Sequence, residues 1–196
     1  NSACVYCAAA DKEQASLVYR AAQKMVVRNK ALRRTDKNGF PRTKVINSVK
    51  RIVYYPTDSI IKVLSSDADT KHGLNVSAAI IDELHAHKKR DLFDVLTTGS
   101  GAARDQQLII VITTAGDDKN SVCYEEYCYA KKVKAGIVKD DAYLPVIFEM
   151  DEKDNWQEEK NWYKANPSLG ITIKIEDMRD EFNKAKEIPT RQSSFR

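Results

Sequence analysis

The chain alternates short, wholly apolar runs with longer stretches whose apolar residues recur every three or four positions. Residues 2–9 form one such run, Ser-Ala-Cys-Val-Tyr-Cys-Ala-Ala, and a strand buried on both faces reads this way. Asp11 then offers an N-cap, with Gln14 three residues later completing a capping box. Ala15, Val18, Tyr19, Ala22, Met25 and Val26 keep helical spacing until the pattern fades near Asn29. Asp36-Lys37-Asn38-Gly39, followed by Pro41, marks a turn. Val45–Asn47, Arg51–Tyr55 and Ser59–Leu64 are short β-rich runs that predict hairpin strands. Ser65–Asn75 is polar and contains Gly73, so it predicts a loop.

Ala78-Ala79-Ile80-Ile81 predicts a second buried strand, and it ends in two adjacent carboxylates, Asp82 and Glu83. Leu92, Phe93, Val95 and Leu96 suggest a short helix, broken by Gly99-Ser100-Gly101. Gln107–Thr113 is another apolar strand, running into Thr113-Thr114-Ala115-Gly116. A helix over about 120–135, a strand over Tyr143–Met150, and helices over Trp156–Lys164 and Lys174–Lys186 complete the reading. The last two helices are separated by Asn166-Pro167 and Gly170. Buried strands alternating with helices predict an α/β fold: a mainly parallel sheet flanked by helices on both faces. The β-rich insert at 44–65 adds antiparallel edge strands. The expected division is a core over 1–150 and a helical subdomain over 151–196.

Composition changes this picture little. The 196 residues are enough for one ordinary domain, or one domain with a small appendage. No apolar stretch approaches the ~20 residues that span a bilayer, and no basic segment opens a signal peptide. The chain starts without Met, inside an apolar run, and reads as a piece of something longer. The net charge of +4 permits phosphate or nucleic-acid contact without arguing for it. Basic residues cluster at Arg28, Lys30, Arg33, Arg34 and Lys37, then at Arg42, Lys44, Lys50 and Arg51. A solvated helix end and loop is the preferred reading of that cluster over a DNA-facing patch. An acidic cluster runs from Glu149 to Glu159. Cys4 and Cys7 sit three apart on a strand and so face opposite sides, and Cys123 and Cys128 are off one helical face. Reduced, partly buried thiols are expected, not a zinc site or disulfides.

The candidate chemistry lies at two strand ends. Ligands of open α/β sheets bind just past the carboxyl ends of the strands. Asp82 there could hold a magnesium ion and Glu83 could orient and deprotonate a water, the Walker B arrangement of ATPases. Thr113 or Thr114, ending the next strand, could hydrogen-bond a γ-phosphate or the attacking water. His85 and His87 follow the acids, but their spacing matches no known ligand set and His72 is the one distant partner, so His85 is expected to cap or pack in the loop. Gly99–Arg104 reads as a flexible interhelix loop ending in a cation. No G-x-x-x-x-G-K-[ST] phosphate loop occurs in the chain.

Taken in order, Tyr6–Ala15, Lys71-His72-Gly73-Leu74-Asn75, Ile80–His87, Ile110–Gly116 and Trp162–Gly170 resemble the large subunit of tailed-phage terminase, the DNA-packaging motor. The resemblance implies an ASCE-type (P-loop-NTPase-like) ATPase sheet without its phosphate loop, with 151–196 a helical linker towards a nuclease domain. It implies ATP and Mg²⁺ as ligands, with Asp82 holding the metal through water and Glu83 activating water. Thr113 and Thr114 match the coupling motif. Arg104 and Lys71 are candidates for a cation acting in trans on a neighbouring subunit. The implied partners are double-stranded DNA, the small terminase subunit, the portal or procapsid, and further copies of the chain assembled on the portal. The implied location is the bacterial host cytoplasm, with no membrane contact. Two alternatives stay open: a catalytically silent prophage-derived interaction module, and another ASCE motor of helicase type. Alone, the chain is expected to be inactive and to bind ATP weakly, if at all.

Overall fold

The computed structural model describes residues 2–65, 74–98 and 106–195. Its contacts divide the chain into two compact units, Asn1–Tyr129 and Ala130–Arg196. The first unit contains β1 (Cys4–Ala9), α1 (Lys12–Arg28), α2 (Lys30–Arg33), β2 (Thr43–Ile46), β3 (Arg51–Tyr54), β4 (Ser59–Ser65), β5 (Ala78–Asp82), α3 (Asp91–Thr98) and β6 (Leu108–Ile112). α4 (Val122–Lys134) begins in it. Among the described residues the strands form one sheet in the order β2-β3-β4-β1-β5-β6. β4, β1, β5 and β6 run parallel, while β2 and β3 add an antiparallel edge. The insert over 44–65 is therefore continuous with the sheet through β4.

Alternation along β1 builds the two faces of the core. Tyr6 and Ala8 point to one side and pack with Ala79, Ile81, Leu84, Leu92 and Leu96, covered by α3 and the start of α4. Cys7 and Ala9 point to the other and pack with Ala15 and Tyr19 of α1. Cys4 packs with the first cluster and Cys7 belongs to the second, as their three-residue spacing on a strand requires. All four cysteines are free thiols. Asp11 caps α1 as its sequence indicates, with Oδ1 accepting the N–H groups of Glu13 and Gln14.

Cys7 is 1% exposed, and burial pushes its thiol up to about 11 from the ordinary 9.0. The folded state thus favours the neutral thiol. Its contribution is complete below pH 9.0 and is lost as the pH rises through about 11. Urea midpoints measured between those limits should fall more steeply for the native chain than for Cys7→Ala. Tyr6 and Tyr19, raised by burial, titrate in both chains. Parallel curves would remove Cys7 from the alkaline transition.

Two expectations need correction. The apolar strand over Gln107–Thr113 forms as β6, but it is an edge and is not buried on both faces. Leu108 and Ile112 are 58% and 54% exposed, and Ile109 alone packs against the core. Tyr143–Met150 forms no strand. Its alternating pattern suits one, yet among the described residues no strand lies alongside, and Leu144, Val146 and Phe148 stay exposed. Lys131 to Glu149, and Lys134 to the Ile147 carbonyl, tether this extended segment instead.

The second unit continues with α5 (Glu159–Ala165), α6 (Ile175–Glu187) and α7 (Pro189–Phe195), the last not expected from the sequence. Its centre is aromatic: Trp162 is buried and its ring meets Phe182 and Phe195 at 5.0 and 5.5 Å. The Trp162 indole N–H donates to the Trp156 carbonyl at 2.7 Å, satisfying its polar edge. Asn166 ends α5 where the Asn166-Pro167 break predicts, and Gly170 turns the following loop at φ +83°. No helix among the described residues is long and apolar enough to cross a membrane.

Candidate functional site

β5 lies between β1 and β6 and delivers Asp82 to the carboxyl end of the parallel strands. Ile81 and Leu84, both essentially inaccessible, pin the chain on either side of the acid pair. Between them Glu83 turns into the left-handed region at φ +52°. An L-residue there costs roughly 1 kcal/mol or more. The turn is held by three backbone bonds. The Glu83 N–H donates to the Ile112 carbonyl at 2.8 Å, and the Ala86 N–H to the Glu83 carbonyl at 2.9 Å. The His87 N–H closes the single 3₁₀ turn on the Leu84 carbonyl at 3.1 Å. Asp82 Oδ1 accepts the Glu83 N–H at 3.1 Å.

This turn carries His85 across to β6. The His85 N–H donates to Thr113 Oγ1 at 3.1 Å, and the Thr113 hydroxyl donates to the Thr114 carbonyl at 2.9 Å. His85 Nδ1 stands 3.0 Å from Glu83 Oε2, 3.1 Å from Thr113 Oγ1 and 3.3 Å from Thr114 Oγ1. Thr113 gives its hydrogen to the Thr114 carbonyl, so its oxygen accepts from Nδ1, which carries the proton; Glu83 Oε2 stands at ion-pair distance from the same nitrogen. The Thr114 hydroxyl donates to the same Oε2 at 3.5 Å, the long limit of such a bond. One hydrogen bond, from Thr114, and one close imidazole contact, from His85, therefore converge on the same oxygen of Glu83. Gly116 completes the seat: a Cβ there would stand 3.0 Å from His85 Cβ.

The structure thus brings Asp82, Glu83, Thr113 and Thr114 to one place. It adds His85, for which the sequence indicates a capping or packing role. The available signal was the E-x-H spacing, Glu83 to His85. It becomes a contact only because Glu83 takes the left-handed turn. Arg104, Lys71 and His72 lie outside the described residues, as does the Gly99–Arg104 loop. His87 is buried beneath the turn. Among the described residues no three His, Cys, Asp or Glu side chains converge to hold a metal. A single hard carboxylate at a strand end suits magnesium, which retains most of its waters and takes one or two carboxylates together with phosphate oxygens. Asp82 fits that role.

A carboxylate pair at the end of a central parallel strand, beside a hydroxyl-ended neighbour strand, defines an α/β sheet of ASCE ATPase type. The comparisons with known proteins narrow this. The model of the terminase large subunit ATPase domain matches residues 1–132, and that of the terminase large subunit endonuclease domain matches 137–196. The chain belongs to the terminase large subunit family.

The terminase large subunit of Enterobacteria phage HK97 is 29% identical over 192 residues, 96% of this chain and 35% of that protein. Protein YmfN of Escherichia coli K12 is 32% identical over 114 residues, 58% of this chain and 25% of that protein. The crystal structure of the HK97 bacteriophage large terminase superposes with a TM-score of 0.80 at 28% identity, covering 100% of this chain and 38% of that one. The chain spans about a third of the length of its HK97 relative. The two family models change over between residues 132 and 137, close to the division between the compact units.

Proposed function

We propose that this chain forms part of a DNA-packaging motor that couples ATP hydrolysis to movement of double-stranded DNA into a procapsid. The observation that carries the reading is the acid pair at the carboxyl end of β5, with Glu83 Oε2 held by His85 and Thr114. The ATPase core takes in residues 1–132 and the nuclease part opens at 137, in place of the expected division after 150.

In this reading Asp82 holds the magnesium of Mg-ATP through water. The metal, when bound, neutralises charge on the phosphate oxygens. Glu83 takes the proton of the attacking water. The Thr114 hydroxyl donates to one carboxylate oxygen and His85 Nδ1 stands against the same oxygen, which sets the plane of the carboxylate and leaves the other to the water. Thr113 and Thr114 couple loss of the γ-phosphate to movement, because a shift of the Thr114 hydroxyl alters the contacts of both His85 and Glu83, and a shift of the Thr113 hydroxyl alters those of His85. Arg104 and Lys71 are proposed as cations that reach a neighbouring subunit. The motor acts as an oligomer on the portal, with the small terminase subunit, in the cytoplasm of the bacterial host. The 196-residue chain by itself is inactive, since it contains no G-x-x-x-x-G-K-[ST] loop to cradle phosphates.

The test is a chimaera: the HK97 large terminase with this chain in place of its matching segment. Magnesium-dependent ATP turnover by the chimaera is expected, with none from the isolated chain. A folded chimaera that fails to turn over ATP sinks the reading.

A further inference from the structure

Residues 24–44 hold eight of the chain's 32 Lys and Arg and one of its 28 acids, a net +7 where the whole chain carries +4. We propose that the surface formed by the end of α1, α2 and the loop to β2 is a contact for the phosphate backbone of double-stranded DNA. This rests on the reading of the chain as part of a motor that engages duplex DNA. It assigns the residues that do so: Arg28, Lys30, Arg33, Arg34, Lys37 and Lys44.

The pairing of charges supports it. Elsewhere many cations are engaged: Arg20 and Lys50 with Glu13, Arg90 with Asp94 and Glu125, Lys164 with Asp151 and Asp154, Arg179 with Glu159. The six named cations are exposed and form no ion pair among the described residues. The one acid of the segment, Asp36, turns Oδ1 inward to accept the N–H groups of Asn38 and Phe40. Like charges crowded on a surface repel, so such a cluster is stabilised when a polyanion covers it.

The display is also rigid. Asn29 ends α1 and caps α2 at once, with Oδ1 accepting from Ala31 and Leu32 N–H, so one residue joins the two helices. Thr35 and Pro41 form a bridge, Gly39 supplies the tight turn at φ +83°, and the Arg42 N–H donates to the Arg34 carbonyl. Tyr55 N–H in turn holds the Arg42 carbonyl, and the Arg42 guanidinium donates to the Tyr54 hydroxyl at 3.1 Å. The backbone that presents the cations is fixed before DNA arrives, which lowers the entropic cost of binding.

α1 leaves the carboxyl end of β1 and returns along β1 and β4, about 25 Å over its 17 residues. Its last turn therefore lies at the end of the sheet away from Asp82 and Glu83. Duplex contact and phosphate chemistry occupy opposite ends of the unit and can be tested apart.

The experiment is fluorescence anisotropy of the full 196-residue chain with a 30-base-pair duplex, titrated over a range of salt. Each phosphate contact contributes roughly 0.9 to the slope of log K against log [salt]. Lys30→Gln, Arg33→Gln, Arg34→Gln and Lys37→Gln together should lower the slope by about 3 to 4 and weaken binding at low salt by at least about 100-fold. An equal change of charge at exposed cations outside the surface, Lys119, Lys132, Lys153 and Lys174 to Gln, should lower it by less than about 1. Every substituted side chain is exposed, so circular dichroism and the melting temperature should be those of the native chain. Exchanging Lys30 and Lys37 for Arg should retain the slope. A slope unchanged by the first variant, or lowered as much by the second, overturns the proposal. So does a chain that binds no duplex, which would assign the surface to an acidic protein partner. Neither outcome bears on turnover by the chimaera, which is read in a separate assay.

Discussion

Replacing Glu83 with Gln in the chimaera should abolish ATP turnover, lowering it by roughly 10²- to 10⁴-fold, the range for losing a positioned general base. Nucleotide affinity should stay within a few-fold. The substitution is narrow because the amide keeps the shape of the carboxylate, and its oxygen can still accept the Thr114 hydroxyl and stand beside His85 Nδ1, now 3.0 Å from Oε2. What is lost is the capacity to take a proton. The side chain is about a third exposed, open enough for a water to reach it. Asp82 is untouched, so the metal-dependent part of binding should persist. His85→Ala in the same chimaera should lower turnover about 10-fold without changing KM, since it frees Glu83 without removing it. His85→Gln, whose amide can still hydrogen-bond the Thr113 and Thr114 hydroxyls, should recover part of the loss. Turnover unchanged in Glu83→Gln would remove Glu83 from the mechanism. Turnover lost together with nucleotide affinity would mean that Glu83 is a binding residue instead.

The acid pair was legible because its signal is local. Four apolar residues followed by Asp82 and Glu83 place both acids at a strand end, whichever strands lie on either side. Thr113 and Thr114 were legible in the same way. His85 was not, because its role depends on a left-handed turn at Glu83 and on the distance between β5 and β6. Neither is written in the side chains around it. Tyr143–Met150 shows the converse: its alternation is clear, but a strand also needs a neighbour, and pairing is not a local property. β6 illustrates a third gap, since an apolar run reports that a strand exists and not how much of it is covered. The cationic segment was visible as a charge run. Its meaning depended on whether those cations find acids in the fold, and among the described residues six of them do not.

Leu84→Ala should destabilise the first unit by about 2–5 kcal/mol, the usual cost of deleting a buried leucine side chain. Leu84 is 1% exposed and packs among Ile81, Leu92 and Leu96. It also lies between two residues of the candidate site that meet, Glu83 and His85. The left-handed backbone at Glu83 is costly by itself, and burial of Leu84 is expected to offset that cost together with the backbone bonds of the turn. A cavity here should therefore do more than lower stability: it should release the 3₁₀ turn and let His85 leave Glu83 Oε2. Both tryptophans lie in the second unit, so their fluorescence is the wrong probe. Hydrogen exchange of the β5 amides, Ile80 and Ile81, reads the first unit directly. Protection there should fall by at least about 30-fold, the equivalent of 2 kcal/mol. Leu84→Met, close in volume, should cost less than about 1.5 kcal/mol and keep the site intact. If Leu84→Ala leaves β5 protection within a factor of about 5, or roughly 1 kcal/mol, the turn is held by its backbone bonds alone. The apolar anchor would then have no part in placing Glu83.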